Sequence, residues 1–256
     1  MLDGMAGTVA HGRLTCRACW SGCSGNHKFL DGGKSQIQND PGYWGAADPA
    51  VLVLGMTKGF TQSNMMSGDV WKFDGVAFAR FRPRLLRSLQ AIGLMQGVRI
   101  IDPKLTAKEA TYGFASMVRC SLTAKKGLKY VSESGAVVRA LKNPEAEDVF
   151  DSCVNTYLRK LTKRTRLVVL LGNNDDYVAF TNRVFRRLFS DYVAYTRGDD
   201  QVFYAGGRFF VHTAHPSLSN GHFGNFISAD ENDAQGRKCR VVRAAVAKIF
   251  PGSGLF

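Results

Sequence analysis

The stretch "RLVVLLG" (166–172) constrains the fold most: five consecutive large aliphatic residues bounded by arginine and glycine. A run this short and unbroken predicts a strand buried on both faces, as in parallel sheets covered by helices. "AVLVLGM" (50–56) and "YGFASMVRC" (112–120) have the same character. Between and after them lie segments of helical apolar spacing: "RPRLLRSLQAIGL" (82–94), "AEDVFDSCVNTYLRKLTKRT" (146–165), "DYVAFTNRVFRRLF" (176–189) and "AQGRKCRVVRAAVAKIF" (234–250). Strands alternating with helices predict an α/β chain, a three-layer αβα arrangement around a central, mostly parallel four-stranded sheet. "DQVFYAGGRFFVHTAHP" adds a hairpin signal, with Gly206-Gly207 between two aromatic-rich runs.

In such sheets ligands bind beyond the carboxyl ends of the strands. Three turns fall there: the one after Leu54, the one after Val118, and "HPS" at 215–217. The 256 residues are read as one domain. Residues 1–48 form a polar segment with little core of its own, tied on by a metal centre, and 121–150 form an insertion. No run approaches the ~20 apolar residues a membrane span needs. A secretory signal is not expected either, so a cytoplasmic monomer is the expectation.

A net charge of +13 points to a polyanion, and nucleic acid is the partner this implies. Basic residues cluster at 80–87, 159–166 and 182–189. The opening "CRACWSGC" (16–23) suits a metal knuckle better than a disulfide pair. Cys239, in a helix, reads as a core residue.

The ordered set of Cys-x-x-Cys, a glycine turn "GMTKG" after the first apolar strand, "VRC", a cysteine entering a helix before "VVLLG", and a late "HPS" resembles the uracil-DNA glycosylase superfamily, in particular its iron–sulfur branches. The resemblance implies DNA as substrate and hydrolysis of an N-glycosidic bond to leave an abasic site. It implies Cys16, Cys19, Cys120 and Cys153 as ligands of a [4Fe–4S] cluster. Zinc is the competing metal, and Cys23 a substitute ligand. His215 takes the place of the histidine that stabilises the departing base. Leu218 takes the wedge that fills the stack behind a flipped nucleotide, with Phe223 second and Ser217, Ser219 and Asn220 on the same DNA-contacting loop. Phe78 would stack on the base and Met56 would border it.

Two departures bear on substrate. "GMTKG" is closest to the Gly-Met-Asn-Pro-Gly form of the single-strand-selective branch, with Thr57 at the asparagine position as holder of the attacking water. Asp69 and Asp74 are then the nearest carboxylates to prepare that water, and Lys58 a phosphate contact. Ser116 stands where that branch reads uracil with an asparagine. A shorter side chain enlarges the pocket, so a damaged or hypermodified base is expected rather than plain uracil. Excision from modified phage DNA would be an antiviral activity. The alternatives are a catalytically weak iron–sulfur nucleic-acid-binding module and an ordinary uracil-excision enzyme. Lys125, Lys126 and Lys129 are read as touching phosphate or covering the pocket.

Overall fold

The computed structural model describes residues 9–20, 22–67, 72–196 and 199–251. In chain order the early strands are β1 (Gly12–Arg13), β2 (His27–Leu30), β3 (Ser35–Gln38), β4 (Gly42–Gly45) and β5 (Val51–Thr57). Helices α1 (Phe60–Ser67), α2 (Phe73–Val76) and α3 (Arg82–Ala91) follow, then β6 (Tyr112–Val118), β7 (Ser121–Lys126) and β8 (Lys129–Val131). Helices α4 (Ser134–Ala140) and α5 (Pro144–Cys153) lead through a π turn at Val154–Leu158 to β9 (Leu167–Leu171) and α6 (Asp175–Leu188). The chain continues as β10 (Val193–Thr196), β11 (Asp199–Ala205), β12 (Arg208–Thr213), α7 (Phe223–Ser228) and α8 (Ala234–Ile249).

The main sheet is wider than the four strands expected. It has eight, in the order β1-β4-β6-β5-β9-β12-β11-β10. Its centre is parallel: β5 pairs with both β6 and β9, and β12 pairs with β9. Antiparallel strands extend both edges. Of the strands at the edges, β11 belongs to the hairpin the sequence announces, whereas β1, β4 and β10 are two to four residues long and too short to carry an apolar run of their own. The hairpin forms as expected, with Gly206 and Gly207 at φ 58° and 78°, the left-handed pair that a two-residue turn between twisted strands requires.

Side-chain alternation on the central strands builds two cores. Leu52, Leu54 and Met56 join the layer with α4, α5 and α6, whereas Val51 and Val53 join the layer with α3, α7 and α8. The helices start where capping chemistry lets them. Asn143, Asn174 and Asp233 each accept a backbone N–H from the first turn of α5, α6 and α8.

A second, antiparallel sheet runs β2-β3-β7-β8. Ser35 lies opposite Ala124 and Gln38 opposite Ser121, so main-chain pairing binds the polar N-terminal segment to residues 121–131. The tie expected of a metal alone is therefore carried at least in part by strand addition.

Candidate active site and thiol cluster

Beyond the carboxyl ends of β5 and β9 and the end of β12 opens a cleft of about 1040 Å³. Met56 and Thr57 come to it from β5, Leu171 and Gly172 from β9, and His215 and Ser217 from the corner after β12. The end of the β7–β8 hairpin, Tyr130 to Glu133, forms one wall, and the starts of α6 and α8 form another.

His215 is fixed from several sides. The Ser217 N–H donates to Nδ1 (3.1 Å), and the Asn220 side-chain amide donates to the His215 carbonyl (2.9 Å). An Nδ1 that accepts leaves the proton on Nε2, so the neutral ring is a donor. Burial lowers its pKa to about 4, which keeps the ring uncharged at neutral pH. Behind it, Ser88 of α3 donates to Ala214 O (2.8 Å) and meets the Thr213 hydroxyl (2.9 Å). Phe81 is the aromatic neighbour, 6.2 Å from the imidazole between ring centroids.

The loop after His215 is held rigid by Arg84 of α3. Its guanidinium donates to Pro216 O and Ser217 O, both at 3.0 Å, and reaches Asn220 O at 3.4 Å. The same group covers the Phe223 ring at 3.9 Å. Leu218 is left 73% exposed at the tip of this loop. The Ser217 and Ser219 hydroxyls bond each other on its outer side (2.8 Å). Asn220 turns its side chain inward, and Phe223 is buried, which removes it as a second wedge. In the sequence Arg84 is only part of a basic run, and its place directly before the buried stripe of α3 gives no sign of its loop partners.

Several expected roles change. Thr57 spends its proton on Cys120 O (2.9 Å) and accepts from Leu122 N (2.8 Å), so it clasps β5 to β7 rather than holding a water. Lys58 is only 1% exposed; it pairs with Asp40 at 2.9 Å and is no phosphate contact. Asp40 also accepts from Ser121 N (2.9 Å) and from the Ser63 hydroxyl, closing a buried polar knot beneath the turn. Asp74 pairs with His11 (2.8 Å) and does not line the cleft, while Asp69 lies outside the described residues. Among the described residues the cleft's carboxylates are Glu133, paired with Lys126, and Asp175, paired with Lys238. Phe78 is buried between Phe81 and Phe114, at a left-handed φ of 52°. Ser116, half-buried beside Gly55 on β6, does not line the cleft, whereas Met56 does.

Below the clasp, cysteine thiols gather. Cys19 is raised by burial and then by the neighbouring Cys16. Cys120 is raised by burial, with Cys153 and Cys19 adding to it. Cys153 is pushed up to about 12 by burial, and Cys19 and Cys16 act on it too. Backbone N–H groups of Asp40 and Arg119 oppose this by donating to Cys120 and Cys153, and the Tyr157 hydroxyl donates to Cys16. Amide and hydroxyl donors aimed at sulfur are the surroundings that thiolate ligands require. Among the described residues no three Cys, His, Asp or Glu side chains are grouped closely enough to hold a metal ion as they stand. Cys16, Cys19, Cys120 and Cys153 are free thiols, the last two buried, and each lies near enough to another of the four to feel its charge; they are the residues that could hold a metal. Cys23 instead turns its thiol to His27 O (3.8 Å), and Cys239 donates to Ala91 O (3.4 Å) within the core.

No family model matches the chain, and no curated protein matches it.

Proposed function

We propose that the chain is a DNA glycosylase of the uracil-DNA glycosylase type, acting on a flipped, non-canonical base. The observation that carries this reading is the His215 corner: a neutral imidazole that lines the cleft, its Nδ1 already engaged, on a loop that Arg84 pins while Leu218 projects from it. In glycosidic cleavage the C1′–N bond breaks and its electron pair leaves with the base. A preorganised Nε2–H donor stabilises that charge as it develops, without proton transfer. Water then adds to C1′ and loses a proton to solvent. The cleft holds no buried carboxylate to activate that water among the described residues, so stabilisation of the leaving base bears the catalysis. The projecting leucine occupies the gap left in the duplex.

A cleft of about 1040 Å³ stands just above the ~300–1,000 Å³ usual for small-molecule sites. That room favours a bulky damaged or hypermodified base over uracil, and because Ser116 stands outside the cleft the preference rests on the volume alone. Excision of such bases from phage DNA would make the protein an antiviral effector. In the same reading Cys16, Cys19, Cys120 and Cys153 hold a [4Fe–4S] cluster, or zinc, whose contribution is structural: it ties the N-terminal segment to β6 and α5.

The test is mass spectrometry of bases released from a panel of modified DNAs, followed by alkali cleavage at the abasic sites. Release by the wild type and its loss by at least 100-fold in His215→Ala is the expected outcome. DNA binding with no base released from any substrate would instead establish the nucleic-acid-binding module, which the lack of a water-activating carboxylate favours.

A further inference from the structure

Arg119, between β6 and Cys120, is 2% exposed, and its Nε and Nη1 donate to nothing among the described residues. Its guanidinium lies between two aromatic rings, 4.7 Å from that of Tyr157 and 5.6 Å from that of Tyr43. No carboxylate forms an ion pair with it among the described residues. Arg208, the other buried arginine, makes the contrast plain: it donates to the carbonyls of Gly206, Leu158 and Leu161. A buried cation with donors unpaired and no anion beside it is strongly unfavourable, and two tyrosine faces offset only part of that cost. The groups around Arg119 are the two tyrosines and the Cys153 and Cys16 thiols. Neutral thiols do not offset a positive charge, but thiolates do. A dicationic metal core held by four thiolates keeps a net negative charge, whether it is a cluster or zinc.

We propose that Arg119 is the built-in counter-ion of the tetrathiolate centre, fixing how firmly the metal is held and, for an iron–sulfur cluster, its reduction potential. This rests on the metal reading given above and extends it from ligands to the group that makes their charge tolerable. The arginine acts through the ligands and touches no substrate.

The experiment uses the full chain purified without oxygen as wild type, Arg119→Met and Arg119→Lys. Iron, sulfide and zinc per chain, the half-life of the metal under chelator, and the potential by protein-film voltammetry are measured. The wild type and Arg119→Lys retain the metal. Arg119→Met loses it at least ten-fold faster, and any cluster remaining is reduced at a more negative potential, because a nearby positive charge favours the reduced form. Wild-type metal content, lifetime and potential in Arg119→Met overturn the proposal. If the methionine variant does not fold, Arg119→Lys decides: a folded lysine variant that sheds its metal overturns it equally. A wild type without iron or zinc overturns the metal reading itself, whereas a metal-bearing wild type indifferent to Arg119→Met overturns only the counter-ion.

Discussion

A histidine that accepts a backbone N–H on Nδ1 has one proton to give and one face from which to give it. Ser217 imposes that choice on His215, and burial then holds the ring neutral, with a pKa of about 4 against an ordinary 6.5. The donor is therefore already present well below neutrality. Base release should run flat between about pH 8 and pH 5, with no inflection near 6.5; a rate that falls through 6.5 would show that His215 titrates freely. Stability behaves differently. His212, sealed by Gly172 O at 2.7 Å, is also lowered to about 4 by burial. Between pH 4 and 6.5 the unfolded chain binds more protons than the folded one, so stability present above 6.5 is lost as pH falls toward 4. Urea midpoints at pH 8 and pH 5 should record that loss, and His215→Gln should remove about half of the histidine-linked part.

At the scale of elements, the turn after β5 is the instructive case. "GMTKG" has the composition of an exposed strand exit, and only the fold reveals that Asp40 waits beneath it for Lys58. Removing one member of a buried pair costs about 3–5 kcal/mol because the other is left unpaired. Lys58→Met should thus lower the unfolding free energy by that order while leaving the salt dependence of DNA binding unchanged. A variant of wild-type stability with weakened binding would return Lys58 to the phosphate-contacting role. The central strands and long helices were legible because burial on both faces, or on one stripe, writes itself into consecutive residues: β5, β6, β9, α3, α6 and α8 lie within a few residues of their expected bounds. The helix expected over 146–165 ends sooner, α5 giving way to a π turn that closes at Leu158. β2, β3 and β10 were not legible, since strands of four polar or mixed residues exist only through partners distant in sequence. His215 and Leu218 could be placed from sequence because a rigid corner and an isolated apolar residue are local features. Phe81, Arg84 and Asp40 could not, because each matters through what it meets.

Over the whole molecule, the excess of positive charge is distributed otherwise than the basic runs suggest. Arg183 and Arg187, in the run at 182–189, are paired with Glu147 and Asp151 of α5 at 2.7–2.9 Å. Arg164 and Arg166, in the run at 159–166, bond the carbonyls of Ala110 and Ile249. Those groups brace helices and the loop before β6, and the net +13 acts as a diffuse field. Affinity for unmodified duplex should then fall linearly in log–log form as salt rises, with Leu218→Ala leaving the slope intact while reducing base release. The end of the β7–β8 hairpin walls the cleft, and Leu128 at the hairpin's tip is 98% exposed, next to Lys129. The pairing of β3 with β7 has a temporal consequence. Cys16 and Cys19 leave the ribosome long before Cys120 and Cys153, on the order of ten seconds earlier at ordinary elongation rates. Until β7 emerges to receive β3, the first two thiols lack the neighbours they have in the folded chain, so the four sulfurs can come together only late in synthesis.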